Sequence, residues 1–116
     1  MIRTKRVYEK PAKDDGFRVL VDRLWPRGLT KEKAHVDLWM KEIAPSDELR
    51  KGFHHEELNW SQFVKKYKAE LTKKNELLSE LKKLGKEHET VTLLYGSKDE
   101  KQNQAVVLSE VIKGKK

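Results

Sequence analysis

The sequence predicts a small α/β domain: a short mixed sheet with at least one parallel strand pair, and helices packed on it. Three observations lead there. Phe17-Arg18-Val19-Leu20-Val21 and Val91-Thr92-Leu93-Leu94-Tyr95 are β-branched, nearly continuous apolar runs, as expected of strands covered on both faces. The chain between them reads as helical, and crossovers of that length normally join parallel strands. At 116 residues the chain has the length of one domain. Residues 1–116 are therefore taken as a single unit, with a flexible basic tail at 113–116.

The elements follow in order. Residues 2–8 mix Ile2, Val7 and Tyr8 with basic positions and read as a first strand. Pro11 and Asp14-Asp15-Gly16 mark a turn, which can close a hairpin to the strand at 17–22. Thr30 can cap a short helix, and Ser46, followed by Asp47-Glu48, can cap another. Asn59 with Gln62 forms a capping-box pattern. The helix it opens carries Trp60, Phe63, Val64, Tyr67 and Leu71 on one stripe. Leu77, Leu78, Leu81 and Leu84 repeat that pattern, and Gly85 is a natural stop. After the strand at 91–95 comes Gly96-Ser97-Lys98-Asp99. A last helix follows with Ala105, Val106, Leu108, Val111 and Ile112, and Asp99 with Gln102 fits its cap.

Composition narrows the chemistry. Apolar residues are 36% and charged residues 39% of the chain, so the core must come from patterned clustering. The net charge of +7, from 26 Lys+Arg against 19 Asp+Glu, favours an anionic partner. Much of the excess is lysine interleaved with glutamate on helix faces, which reads as a solvated surface. With no cysteine, thiol nucleophiles, disulfides and thiolate metal sites are excluded. No signal-like or membrane-spanning run is present, so a cytoplasmic location and no membrane partner are expected.

Ligands of open α/β sheets gather beyond the carboxyl ends of parallel strands. Two loops are expected to meet there, residues 22–28 and 96–101. The first supplies Asp22, Arg23, Trp25 and Arg27; the second supplies Gly96, Ser97 and Lys98 beside a helix N-terminus. Guanidinium groups beside exposed helical N–H groups suit a phosphate or carboxylate. The bland alternative is a structural Asp22-Arg23 salt bridge with Trp25-Pro26 sealing the sheet edge. No Gly-x-Gly-x-x-Gly or P-loop is present, and no cofactor is expected. His54-His55 with Glu56-Glu57 point apart on a helix, and His35 and His88 lack partners at ligand spacing, so no metal is expected. Asp14-Asp15 and Glu56-Glu57 read as a turn and a solvated face. None of the serines sits in a nucleophile elbow.

These residues also resemble a known family. Asp22-Arg23-Leu24-Trp25-Pro26-Arg27-Gly28, Trp39-Met40-Lys41-Glu42-Ile43-Ala44-Pro45-Ser46, Leu49-Arg50, and Val91 to Tyr95 with Lys98-Asp99 and Asn103 look like the YeaO-like branch of the domain-of-unknown-function family 488. The likeness runs along essentially the whole chain in order. It implies one compact α/β domain and adds Lys41, Glu42, Ser46 and Arg50, which belong to its signature segments. Longer relatives resemble it less closely. They carry Cys-His-Arg where this chain has Asn103-Gln104-Ala105, so chemistry using that cysteine or histidine is not available here.

The candidate ligand-binding set is therefore Asp22, Arg23, Trp25, Arg27, Lys41, Ser46, Arg50, Lys98, Asp99 and Asn103. The first function expected is binding of a small anionic ligand, phosphate- or nucleotide-bearing. In that reading Arg23, Arg27 and Lys98 neutralise charge, Trp25 offers a stacking face, and Asp22 orients an arginine or a hydroxyl. Nucleic-acid binding through the basic surface ranks second, and a non-catalytic protein-interaction module third. Burial of Trp25 and Trp39 discriminates among them, and whether the chain is an enzyme stays open.

Overall fold

The structure, a computed structural model, describes residues 1–114. It contains β1 (Ile2–Arg6), β2 (Phe17–Leu20), α1 (Lys31–Ala34), β3 (Leu38–Trp39), α2 (Asp47–His54), α3 (Trp60–Leu71), α4 (Asn75–Glu87), β4 (Val91–Tyr95) and α5 (Gln104–Ile112). Single 3-10 turns lie at Lys13–Asp15 and Lys41–Ile43. The strands form one sheet in the order β1-β4-β2-β3. Every neighbouring pair is parallel. The α/β class and the parallel pairing of β2 with β4 are as the sequence predicts; the sheet is wholly parallel rather than mixed.

The hairpin expected at Asp14-Asp15-Gly16 does not form. The last strand, β4, inserts between β1 and β2 and bonds to both. The reason lies in β4 itself, all five of whose residues are buried, so it takes a central position where both edges are paired. Gly16 turns the chain at φ 67°, and a Cβ there would stand 2.2 Å from the Thr90 carbonyl oxygen. Only glycine fits.

The two faces of the sheet differ. Val19, Val21, Val91, Leu93 and Tyr95 pack against Ile43, Leu49, Phe63, Tyr67, Leu71, Leu81, Val107 and Leu108 in the main core. Alternate positions Leu20 and Leu94 turn the other way, onto Val7, Ala34, Trp25, Leu29, Val36 and Trp39. That second layer also buries a charge. Arg18 pairs with Asp15 and donates to the carbonyls of Ala34 and His35, both at 2.9 Å. Lys5 reaches the same carboxylate at 3.0 Å. Burial pushes the Asp15 carboxyl up, but the Ala12 N–H, Lys5 and Arg18 outweigh it and hold the group below its ordinary value. Asp15 is thus no solvated turn residue.

Most caps form as the sequence predicts. Thr30, Ser46 and Asn59 accept from Lys33, Leu49 and Gln62, and Gln62 returns the bond to Asn59 at 2.9 Å. Two elements differ. Gly85 does not stop α4, which runs on to Glu87; it lies against β1, where a Cβ would meet Ile2 at 3.3 Å. Asp99 accepts from Lys101 and Gln102 in a turn before α5, and the helix cap is Asn103, whose Oδ1 accepts from Val106. The short strand β3 falls in a stretch that reads as helical; Met40 N–H bonds the Leu20 carbonyl at 2.9 Å and extends its pairing. Of the basic tail expected at 113–116, Lys113 closes α5 and the last two positions lie outside the described residues. Among the described residues no helix is long and apolar enough to cross a membrane.

Removing one partner of a buried ion pair strands the other. Asp15→Ala is expected to lower unfolding free energy by about 3 kcal/mol, measured by urea denaturation. Asp14→Ala, which breaks only the exposed pair with Arg3, is expected to change it by less than about 1 kcal/mol. Equal effects of the two substitutions would contradict the assignment.

Candidate functional site

β2 and β4 end side by side, and the loops that leave them meet as expected. One Asp22 carboxylate oxygen accepts the Gly96 N–H at 2.8 Å. The other accepts from the side-chain amide of Gln104, in the first turn of α5. Asp22 thereby ties both strand ends to a helix N-terminus. Burial pushes its carboxyl up to about 6, against the lowering pull of Gly96, Gln104 and the nearby Arg50 guanidinium. A desolvated carboxyl in a cleft beside a cation marks a candidate functional site.

The cleft is a cavity of about 740 Å³ above Asp22. One wall is the 22–28 loop with Tyr8, contributing Leu24, Trp25 and Pro26. The opposite wall comes from α2 and the start of α3, with Phe53, Leu58, Trp60 and Phe63. Phe63 stacks on Phe53 at 4.6 Å and on Trp60 at 5.6 Å. Asp22, Arg50, Asn103 and Gln104 are among its polar lining groups, and His54, Glu56 and Asp99 line it as well.

The structure divides the sequence-derived candidates. Asp22, Arg23, Trp25, Arg50, Asp99 and Asn103 line the cavity; Arg27, Lys41, Ser46 and Lys98 do not. Arg23 makes no salt bridge with Asp22. Its guanidinium donates to the carbonyls of Ala44 and Pro45, at 3.1 and 3.2 Å. Arg27 is exposed, and its carbonyl accepts from Tyr8 Oη. Lys41 lies over the Trp39 ring at 5.1 Å. Ser46 caps α2 and is hydrogen-bonded through both its N–H and its hydroxyl to Glu70. Lys98 is exposed on the 96–101 loop.

Asp99 lies at the rim, where the Gln102 and Lys101 N–H groups hold its carboxyl below the ordinary value. Asn103 is 2% exposed and spends its side chain on Val106 and the Asp99 carbonyl. Trp25 is half-buried, edge-on to Trp39 at 5.5 Å, and its indole N–H donates to the Leu29 carbonyl. The Trp39 N–H donates to the Asp22 carbonyl. Both indoles are therefore parts of the frame, and Trp25 also shows one surface to the cavity.

Arg50 is the less engaged of the two arginines that line the cavity. Its guanidinium makes one loose contact, 3.5 Å to exposed Asp47. Its Nε–H is buried with no hydrogen-bond partner among the described residues. An unpaired buried donor costs about 1–3 kcal/mol.

Sequence reasoning missed the α2–α3 wall and Gln104. Trp60 and Phe63 sit on an amphipathic stripe, which assigns both to the core. The stripe begins above the sheet edge, so its first ring overhangs the cleft. The available signal was the Asn59–Gln62 capping box, which fixes where that stripe begins.

Over residues 1–115 the chain matches the family described as the inactive DUF488-N3 subclade. It is 45% identical over 109 residues to the uncharacterized protein YeaO of Escherichia coli (strain K12), covering 94% of each chain. It is 39% identical over 114 residues to the uncharacterized protein Rv3073c of Mycobacterium tuberculosis (strain ATCC 25618 / H37Rv), covering 98% of this chain and 95% of that one. No solved structure matches it. The agreement with the YeaO-like branch is along the whole chain.

Asp22 supplies a pH-dependent prediction. Its folded value of about 6 exceeds the ordinary unfolded value of about 3.9. The folded protein therefore holds this proton more tightly, and stability from this group falls as pH rises from about 4 to about 6. Asn at this position keeps an acceptor for Gly96 and can donate to a turned Gln104 amide. Asp22→Asn is thus expected to gain on the order of 2 kcal/mol relative to the parent between pH 4 and pH 7. Urea denaturation across that range checks it; a pH-independent difference would count against a buried, charged Asp22.

Proposed function

The chain belongs to the inactive DUF488-N3 subclade, and we propose that it binds a small anionic ligand in the cleft beyond the carboxyl ends of β2 and β4, without transforming it. The carrying observation is Arg50, whose buried Nε–H has no partner among the described residues and which lines the cavity. An anionic acceptor placed there satisfies that donor and makes a charge-assisted bond, roughly twice as strong as a neutral one. Cavities of this size suit small molecules.

A role without chemistry fits the rest of the lining. Each Asp22 oxygen accepts a bond, from Gly96 and from Gln104, and the carboxylate is held by the frame of the cleft. Asp22 then acts as a brace whose charge tunes Arg50. The family description, inactive, supports the same reading. The cytoplasm is the proposed location. Nucleic acid and a protein partner rank below the cleft ligand, because the free cation stands inside a cavity.

Arg50→Met tests the reading. The substitution keeps the aliphatic stem on α2 and removes the guanidinium. At low salt, inorganic phosphate, adenosine monophosphate and benzoate are offered in turn, with melting temperature and calorimetry as readouts. At least one anion is expected to raise the parent's Tm by a few degrees and to lose most of that effect in the variant. No shift with any of them, or the same shift in the variant, overturns the proposal. A single-stranded oligonucleotide whose binding survives Arg50→Met and falls steeply with salt would move the function to the outer surface.

Affinity is also expected to depend on pH. Asp22 faces Arg50, Gly96 and Gln104, while His54, Glu56 and Asp99 share the cavity. Below about 6 Asp22 is protonated and no longer competes with an anion for Arg50. Binding should strengthen several-fold from pH 7.5 to pH 5.5, as calorimetry would show. In a His54→Gln background, where the neighbouring imidazole is removed, Asp22→Asn should flatten the remaining dependence.

A further inference from the structure

We infer that the ligand of this cleft is a flat, apolar monocarboxylate, an aromatic acid, rather than a phosphate ester or nucleotide. The inference rests on the anion-binding reading above and narrows it by charge and shape.

Charge comes first. Two guanidinium groups line the cavity, and Arg23 is committed to the carbonyls of Ala44 and Pro45. Arg27, Lys41 and Lys98 stand outside the lining. One cation, Arg50, therefore meets the ligand, and Asp22, Glu56 and Asp99 line the same space. A phosphate monoester carries a charge of about −1.5 to −2 near neutral pH, and a nucleoside triphosphate carries more. Either would bring an excess of negative charge to a cleft with one free counter-charge and three carboxyl groups. A carboxylate brings a single charge, which one guanidinium balances.

Geometry agrees. Nε–H and the adjacent Nη–H of a guanidinium form a planar fork that matches the two oxygens of a carboxylate. In Arg50 the Nε–H is unpaired but closed off from solvent, and the Nη2 contact to Asp47 is long, 3.5 Å, and exposed, so a turn of the side chain away from Asp47 would bring this edge to a bidentate partner. At this strand end the Gly96 N–H, a backbone donor that a phosphate could use, is taken by Asp22.

Shape supplies the body of the ligand. The stacked rings of Phe53, Phe63 and Trp60 form one wall, and Leu24, Trp25 and Pro26 form the other. Leu24 is 61% exposed at the rim, where an apolar ligand would cover it. Aromatic partners add stacking on top of buried area. Ribose and phosphate would set hydroxyls and charge against those walls.

Three naphthalene probes of similar size, 1-naphthoate, 1-naphthyl phosphate and 1-naphthalenemethanol, and the small non-aromatic control acetate separate the alternatives. Binding is measured by calorimetry on the full chain, with adenosine monophosphate alongside. 1-Naphthoate is expected to bind at least about tenfold tighter than every other probe. Arg50→Met should remove that preference over the alcohol. Leu24→Glu, an exposed position that leaves the core untouched, should weaken naphthoate about tenfold and leave Tm of the free protein unchanged. Tighter binding of naphthyl phosphate or adenosine monophosphate, with loss in Arg50→Met, overturns the monocarboxylate and keeps the anion site. Acetate binding as tightly as naphthoate overturns the aromatic body. Binding of the alcohol as tight as naphthoate, or no binding of any probe, overturns both.

Discussion

One carboxylate holds the carboxyl edge of the sheet together. Asp22 leaves the end of β2, reaches across to the backbone of Gly96 after β4, and takes the Gln104 amide at the start of α5. Its own carbonyl accepts from the Trp39 indole, which draws in the end of β3. Three strands and a helix thus converge on one residue. A group buried in this way normally loses its charge unless it is well hydrogen-bonded. Burial raises its titration point to about 6, and the two bonds and Arg50 hold it low enough for the group to be ionised near neutral pH.

A second set of contacts fixes the opposite wall. The segment between the 3-10 turn at Lys41–Ile43 and α2 presents three successive carbonyls, and each has a collector. Tyr67 donates to Ile43, Arg23 and Lys74 both donate to Ala44, and Arg23 donates again to Pro45. Glu70 takes the N–H and hydroxyl of Ser46 just beyond. These side chains come from the 22–28 loop, α3 and the start of α4. They set α2 at a fixed height, so Arg50 and Phe53 face the cleft. Arg23 is thus a strut: a residue whose charge suggested ligand contact serves to hold the wall that carries Arg50.

Local signals in the sequence reported local structure well. Thr30, Ser46 and Asn59 cap helices because their short oxygen-bearing side chains reach the N–H three residues on, a matter of neighbours alone. The apolar runs at 17–21 and 91–95 announced buried parallel strands for the same reason. Pairing was a different matter. Nothing within residues 2–17 says that a strand from the far end of the chain will come between β1 and β2, so Asp14-Asp15-Gly16 passed for a hairpin turn. Asp15 passed for a turn residue alone because its partners, Lys5 and Arg18, become neighbours only once the sheet closes. The meeting of the 22–28 and 96–101 loops was legible, since it follows from a rule of parallel sheets. Which basic residues point inward was not, because Arg23, Arg27 and Lys98 are chemically alike candidates and only backbone geometry separates them from Arg50.

The close approach at Gly96 has a further consequence. A Cβ there would stand 3.0 Å from the Asp22 carboxylate, so the base of the cleft is packed to within a single atom and has no slack. The walls are different: Leu24 is a projecting rim residue, and Trp60 is only half-buried. Side-chain changes are therefore more readily accommodated at the walls than at the base. The base acts as a rigid keystone, and the shape of the cleft can change only above it.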